Sequence, residues 1–168
     1  TGVAGLGGTG GTGLLLDGAG RLTNAASGRI AGGTGGTGNG AGGIGVLAPA
    51  GGTLVNAGTI TGGAGSPGAS GATGSAGLGG TAVVGAGLAI VNSGLIAVGF
   101  GATGPAAAET GRAISFTGGL NSLTLLSTSQ IDGAVVAFSA ADRLILGGAT
   151  DGTFSAAALG APYQNFGV

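Results

Sequence analysis

Short runs of aliphatic and β-branched residues recur along this chain, cut by Gly, Asn and Pro, and no window carries a helical period. Thr53–Asn56 is followed by Thr59–Thr61, Leu88–Asn92 by Leu95–Val98, and Ser122–Leu126 by Gln130–Gly133. Each run is long enough for a strand and too short for a helix. The runs also repeat in detail. Leu54-Val-Asn-Ala-Gly-Thr-Ile-Thr-Gly-Gly63 returns as Ile90-Val-Asn-Ser-Gly-Leu-Ile96 and is preceded by a longer copy, Leu22-Thr-Asn-Ala-Ala-Ser-Gly-Arg-Ile-Ala-Gly-Gly33. The Asn residues of the copies, Asn24, Asn56 and Asn92, lie 32 and 36 positions apart. A period of this size marks stacked supersecondary units in which each unit covers the apolar face of the next.

The pattern predicts an all-β parallel β-helix, a solenoid of about five rungs with up to three short strands each. The fifth rung is read as Ala134–Phe138, Arg143–Leu146 and Gly152–Ser155. Leu54, Ile60, Ile90, Ile96, Leu125 and Ile131 are candidates for apolar ladders inside. Asn24, Asn56 and Asn92 are candidates for a side-chain ladder at a turn, the alternative being that each Asn merely tolerates a turn conformation.

A second kind of segment alternates with the strands. Gly62, Gly65, Gly68, Gly71, Gly74, Gly77 and Gly80 hold an unbroken three-residue register, and so do Gly2, Gly5, Gly8 and Gly11. Gly33, Gly36, Gly42 and Gly45 keep it in a third stretch, with Asn39 in the remaining place. Three residues per turn is the period of polyproline II, which has no hydrogen bonds of its own. Such segments are therefore mobile loops or helices packed side by side through backbone N–H···O=C and Cα–H···O contacts. Recurrence once per rung places them at one corner of the solenoid and favours packing. The chain thus reads as a single module over 1–168, with inserts near 1–13, 32–45, 62–80 and 99–105. All five Phe and the one Tyr lie after residue 99, so 106–168 is expected to be the best-packed section.

Composition narrows the function. Gly accounts for 46 of 168 residues, charged residues for 5%, and the formal net charge is −1. Four scattered Arg and no Lys cannot form the dense cationic surface that nucleic acid requires. Without Cys there is no disulfide framework and no thiolate metal site. The apolar stretch Thr81–Val91 is too short to span a bilayer as a helix, so the chain is expected not to span a membrane. So few charges protect poorly against association, which points to life within an assembly or a longer chain.

Catalysis has little material. No His or Lys is present to activate a Ser or Thr. Asp132 and Asp142 are the carboxylates close enough in sequence to pair as in a glycosidase, but Asp132 sits in an Ile-Asp-Gly turn, and Asp142 with Arg143 suits a rung end. Val83–Val91 and Gly38–Gly43 match a glycine-rich nucleotide-binding turn, yet the helix that would receive a pyrophosphate does not follow. Asp151-Gly152 lacks the repeated Asp of a calcium-binding β-roll. Thr9, Thr12, Thr34 and Thr37 would order water only if aligned on a flat face. No catalytic, cofactor-binding or metal-binding residue is assigned, no cofactor is expected, and the chain is read as no enzyme.

The Leu-x-Asn-x-Gly-x-Ile-x-Gly rungs, with Leu123-Thr-Leu-Leu126, Ser129–Gly133, Ala141–Gly148 and Tyr163-Gln-Asn-Phe166, resemble the passenger regions of bacterial autotransporters (type V secretion). The resemblance covers residues 14–168 apart from the inserts. It implies a right-handed β-helix, an extracellular or bacterial cell-surface location, and a structural stalk or fibre-forming segment. The triplet inserts resemble instead the Gly-rich polyproline II segments of mycobacterial surface proteins and insect antifreeze proteins. Self-association into filaments, or continuation within a longer chain, is the expected partnership. The alternative is an adhesin binding a glycan or host protein, a host or matrix ligand in either case, through the β-helix face or the inserts.

Overall fold

The computed structural model describes residues 7–68, 76–102 and 111–167. The chain winds as a parallel β-solenoid. Its first turn holds β1 (Leu14–Leu15), β2 (Arg21–Asn24) and β3 (Arg29–Ala31). The second holds β4 (Val46–Ala48), β5 (Gly52–Asn56) and β6 (Thr59–Thr61), and the third β7 (Val83–Ala86), β8 (Leu88–Asn92) and β9 (Leu95–Ala97). The fourth holds β10 (Ile114–Gly118), β11 (Ser122–Leu125) and β12 (Gln130–Asp132). With the later strands β13 (Val135–Val136), β14 (Arg143–Leu146) and β15 (Tyr163–Gln164), equivalent strands stack into three all-parallel sheets, β1-β4-β7-β10-β13-β15, β2-β5-β8-β11-β14 and β3-β6-β9-β12.

About five rungs were expected; four are complete. The fifth has only β13 (Val135–Val136) and β14 (Arg143–Leu146). Gly152–Ser155, read as its third strand, forms none. The reason is local: Gly148, at φ 116°, turns the chain away from the second sheet. Residues 147–167 instead lie across the end of the solenoid, through a short 3-10 turn (Ala156–Ala158), until β15 (Tyr163–Gln164) joins the first sheet.

Register turns the sequence repeat into rows of side chains. Leu22, Leu54, Ile90, Leu123 and Leu144 align in the second sheet. Ile30, Ile60, Ile96 and Ile131 align in the third. Leu14, Val46, Val83, Ile114, Val135 and Tyr163 align in the first. Alternation along each strand points these residues inward. Leu54, Ile60, Ile90, Ile96, Ile114 and Leu123 are fully buried. Each such side chain contributes about 1.5–3 kcal/mol relative to exposure.

The corner between the first and second sheets needs a left-handed residue in each of the first four turns, and Gly18, Gly51, Gly87 and Gly119 supply it with positive φ. Burial centres on residues 46–137 rather than on the whole of 106–168. Interior turns have a neighbour on both sides, whereas the C-terminal aromatics cap an end. Phe116 is buried, Phe154, Tyr163 and Phe166 are partly so, and Phe138 is exposed.

Candidate functional site

The asparagines of the repeat form a row at the end of the second sheet. Asn24 Nδ2 donates to Asn56 Oδ1 at 2.8 Å, and Asn56 Nδ2 donates to Asn92 Oδ1 at 2.8 Å. Asn92 Nδ2 then donates to Ser129 Oγ at 2.6 Å. Each amide also donates to a backbone carbonyl, Asn24 to Thr59 O at 3.2 Å and Asn56 to Leu95 O at 3.1 Å. Those carbonyls fix the orientation of the amides, because only an NH2 group serves them. The row is therefore directional, with donors toward the C-terminal turns and acceptors toward the N-terminal ones. Leu125 occupies the same register position in the fourth turn, and Leu146 in the fifth. Leu125 thus ends the asparagine row rather than extending the leucine–isoleucine row that holds Leu54 and Ile90.

The glycine triplets leave after the third strand of a turn and return before the first strand of the next. Segments 32–36, 62–66 and 99–102 run outward; 7–13, 40–45 and 76–80 run back. Between the two sets a zigzag of backbone bonds joins consecutive segments. Gly33 N donates to Gly11 O, Gly43 N to Gly33 O, Gly63 N to Gly43 O, Gly80 N to Gly63 O and Gly99 N to Gly80 O, all at 2.7–2.9 Å. Within each set, other glycines bond onward. Gly10 N donates to Ala41 O at 2.8 Å, Gly42 N to Leu78 O at 2.9 Å and Gly65 N to Phe100 O at 2.9 Å. Donors thus recur every third residue, so unpaired backbone groups of polyproline II find partners laterally. The contacts leave no room for a Cβ: one added to Gly42, Gly62 or Gly79 would collide with the carbonyl of Gly63, Gly80 or Gly99. Glycine is required here by close approach of backbones, not by conformation. Thr9, Thr12, Thr34 and Thr37 are exposed on this bundle.

A polar plug that the sequence did not reveal lies at the corner between the first and second sheets. Asp142 is 3% exposed, and its carboxylate accepts from Asn121 N at 2.9 Å, Asn121 Nδ2 at 3.1 Å and Phe138 N at 2.7 Å. Asn121 Oδ1 in turn accepts from Leu88 N at 2.9 Å. These two side chains tie the third, fourth and fifth turns together. Neither residue recurs in the repeat, so no periodic signal could have pointed to them. Asp132 is exposed on β12 in the third sheet, whereas Asp142 lies buried at the corner between the first and second, so the fold does not present them as a pair. Val83–Val91 forms β7, a turn at Gly87 and β8, with no helix to face a phosphate. Among the described residues no group of three or more His, Cys, Asp and Glu converges, and no helix is long and apolar enough to cross a membrane.

One cleft, of about 610 Å³, opens where residues 147–158 cross the end of the solenoid. Leu125, Ile131, Phe154 and Tyr163 give it an apolar floor, with Gln130 and Asp151 beside them. Phe154 and Tyr163 meet edge to face, their centroids 5.4 Å apart. No protein-family model, curated protein or solved structure shows significant similarity to this chain.

Proposed function

We propose that this chain is a structural segment, a stalk or fibre-forming rod of a secreted bacterial surface protein of the autotransporter-passenger type. The zigzag of glycine N–H···O=C bonds supports this reading most directly. It runs from Gly11 to Gly99 along the solenoid axis and adds a second bonded column beside the three sheets. Two columns joined at every turn resist bending more than one. The asparagine row adds side-chain bonds along the same axis. The exposed surface of the bundle carries small side chains such as Thr9, Thr12, Thr34 and Thr37 together with two large apolar ones, Leu78 and Phe100, and it bears no charge, which suits packing against neighbours. An extracellular location follows from the same reading. Cryo-electron microscopy of the native assembly tests it. Rods carrying the rung spacing of about 4.8 Å along their length are expected; compact particles with no axial repeat would refute it.

A second reading, an adhesin, is favoured by the C-terminal cleft, where aromatic faces lie beside Gln130 and Asp151. Binding on a glycan array that disappears on Phe154→Ala, with unchanged melting temperature, would select this reading over a purely mechanical one.

A further inference from the structure

The two ends of the solenoid differ in the chemistry they leave unpaired. At the N-terminal end, Gly8 and Gly11 have nothing among the described residues within 4 Å of the place a Cβ would take. Their counterparts one and two turns later are enclosed. Gly40 N and Gly43 N donate to Gly36 O and Gly33 O, and Gly77 N and Gly80 N donate to Ser66 O and Gly63 O. Gly8 N and Gly11 N occupy the same places and donate to nothing among the described residues. The asparagine row ends at the same face. Asn24 is 5% exposed, its Nδ2 is committed to Asn56, and its Oδ1 accepts from no donor among the described residues. The ends of the three apolar rows, Leu14, Leu22 and Ile30, are only partly buried there.

We infer that this face docks one further turn of the same repeat. The occupant is a polypeptide carrying an outgoing glycine-triplet run, whose carbonyls take Gly8 N–H and Gly11 N–H, and a Leu-x-Asn strand, whose amide donates to Asn24 Oδ1. The interface would continue the one already formed between the first and second turns. A second copy of this chain does not fit. Placed head to tail it offers Leu146 at the position opposite Asn24, and its fifth turn carries no glycine insert. Placed about a two-fold axis it sets Asn24 Oδ1 against the same acceptor, and the Gly8 and Gly11 donors against donors. This inference deepens the structural reading: such a rod lengthens from its N-terminal face by like turns, not by end-to-end stacking of copies.

The test is a chain in which a duplicate of residues 40–75 is fused directly ahead of Gly7. Residue 76 follows residue 75 in the third turn as Gly7 would here, so the register of Gly77 and Gly80 becomes that of Gly8 and Gly11. Amide hydrogen exchange at Gly8 and Gly11 is expected to slow by about ten-fold or more relative to the parent chain. Part of that protection should vanish when the Asn56→Leu change is made in the duplicate alone. Unchanged exchange at Gly8 and Gly11, with the amides of Leu54 and Ile90 still protected, would overturn the inference while leaving the four-turn rod standing. Protection of Gly8 and Gly11 in the parent chain, with a dimer mass by analytical ultracentrifugation, would assign the face to a second copy and overturn it too.

Discussion

Asn56 lies one turn above Asn24 and accepts from it at 2.8 Å while donating at 2.8 Å to Asn92 on its other side. A fully buried amide is thus saturated along the solenoid axis. Asn56→Leu leaves Asn92 Oδ1 without its donor and removes the side-chain bond to Leu95 O. At about 1–3 kcal/mol for each unsatisfied buried group, a loss of about 2–5 kcal/mol in denaturant unfolding is expected. Asn56→Asp places a carboxylate against those same two acceptors. Its pKa in the fold should rise, because only the protonated acid can donate. The damage should therefore be smallest below about pH 4, where the acid is protonated in both states, and should grow as pH rises through that value.

Adjacent glycines should behave oppositely. A Cβ on Gly10 would strike Gly33 O and lie 2.8 Å from Gly43 N, whereas one on Gly11 meets open space. Gly10→Ala is expected to cost about 1–3 kcal/mol by forcing the bundle apart. Gly11→Ala should be neutral or stabilising by up to about 1 kcal/mol, by restricting the unfolded chain. Paired thermal melts of the two variants settle the contrast. In the chain extended by residues 40–75, Gly11→Ala should instead become destabilising.

Asp142 accepts from the backbone N–H groups of Asn121 and Phe138, which have no other acceptor among the described residues, and from Asn121 Nδ2, which also donates to Gly118 O at 3.1 Å. Asp142→Ala should cost about 1–3 kcal/mol or more. Hydrogen exchange should then quicken first at Asn121 and Phe138, the amides it accepts from.

Tyr163 ends the inward row of the first sheet, and burial raises its hydroxyl pKa above the usual 10.0. The unfolded chain loses this proton at lower pH than the folded one. Stability is therefore expected to fall as pH rises through about 10, with no contribution below it. Tyr163→Phe should flatten that alkaline slope in a pH series of melting temperatures.

What was legible in the sequence was whatever repeats. Asn24, Asn56 and Asn92 recur in a fixed local phrase, so their alignment could be anticipated, and Leu54, Ile60, Ile90 and Ile96 stand at fixed offsets from them. The triplets favoured backbones packed side by side over mobile loops, and the lateral bonds that join Gly11 to Gly99 decide for packing. Three features escaped. Leu125 has the appearance of a ladder leucine, but the register of β11 against β8 sets it over Asn92. Asn121 and Asp142 occur once, and their partnership depends on a corner that only the folded chain creates. The fifth rung failed because a strand-like run, Gly152–Ser155, follows a left-handed glycine that directs it off the sheet.

Glycine bundle and solenoid are joined by backbone hydrogen bonds at every turn and should behave as one mechanical body. Residue-resolved native-state hydrogen exchange tests it most directly. The amides of Gly33, Gly43, Gly63, Gly80 and Gly99 should exchange in the same slow class as those of Leu54 and Ile90, and respond to denaturant together with them. Exchange of those glycines at unfolded-chain rates, with the strands still protected, would contradict it and reduce the inserts to loops hung on a bare solenoid.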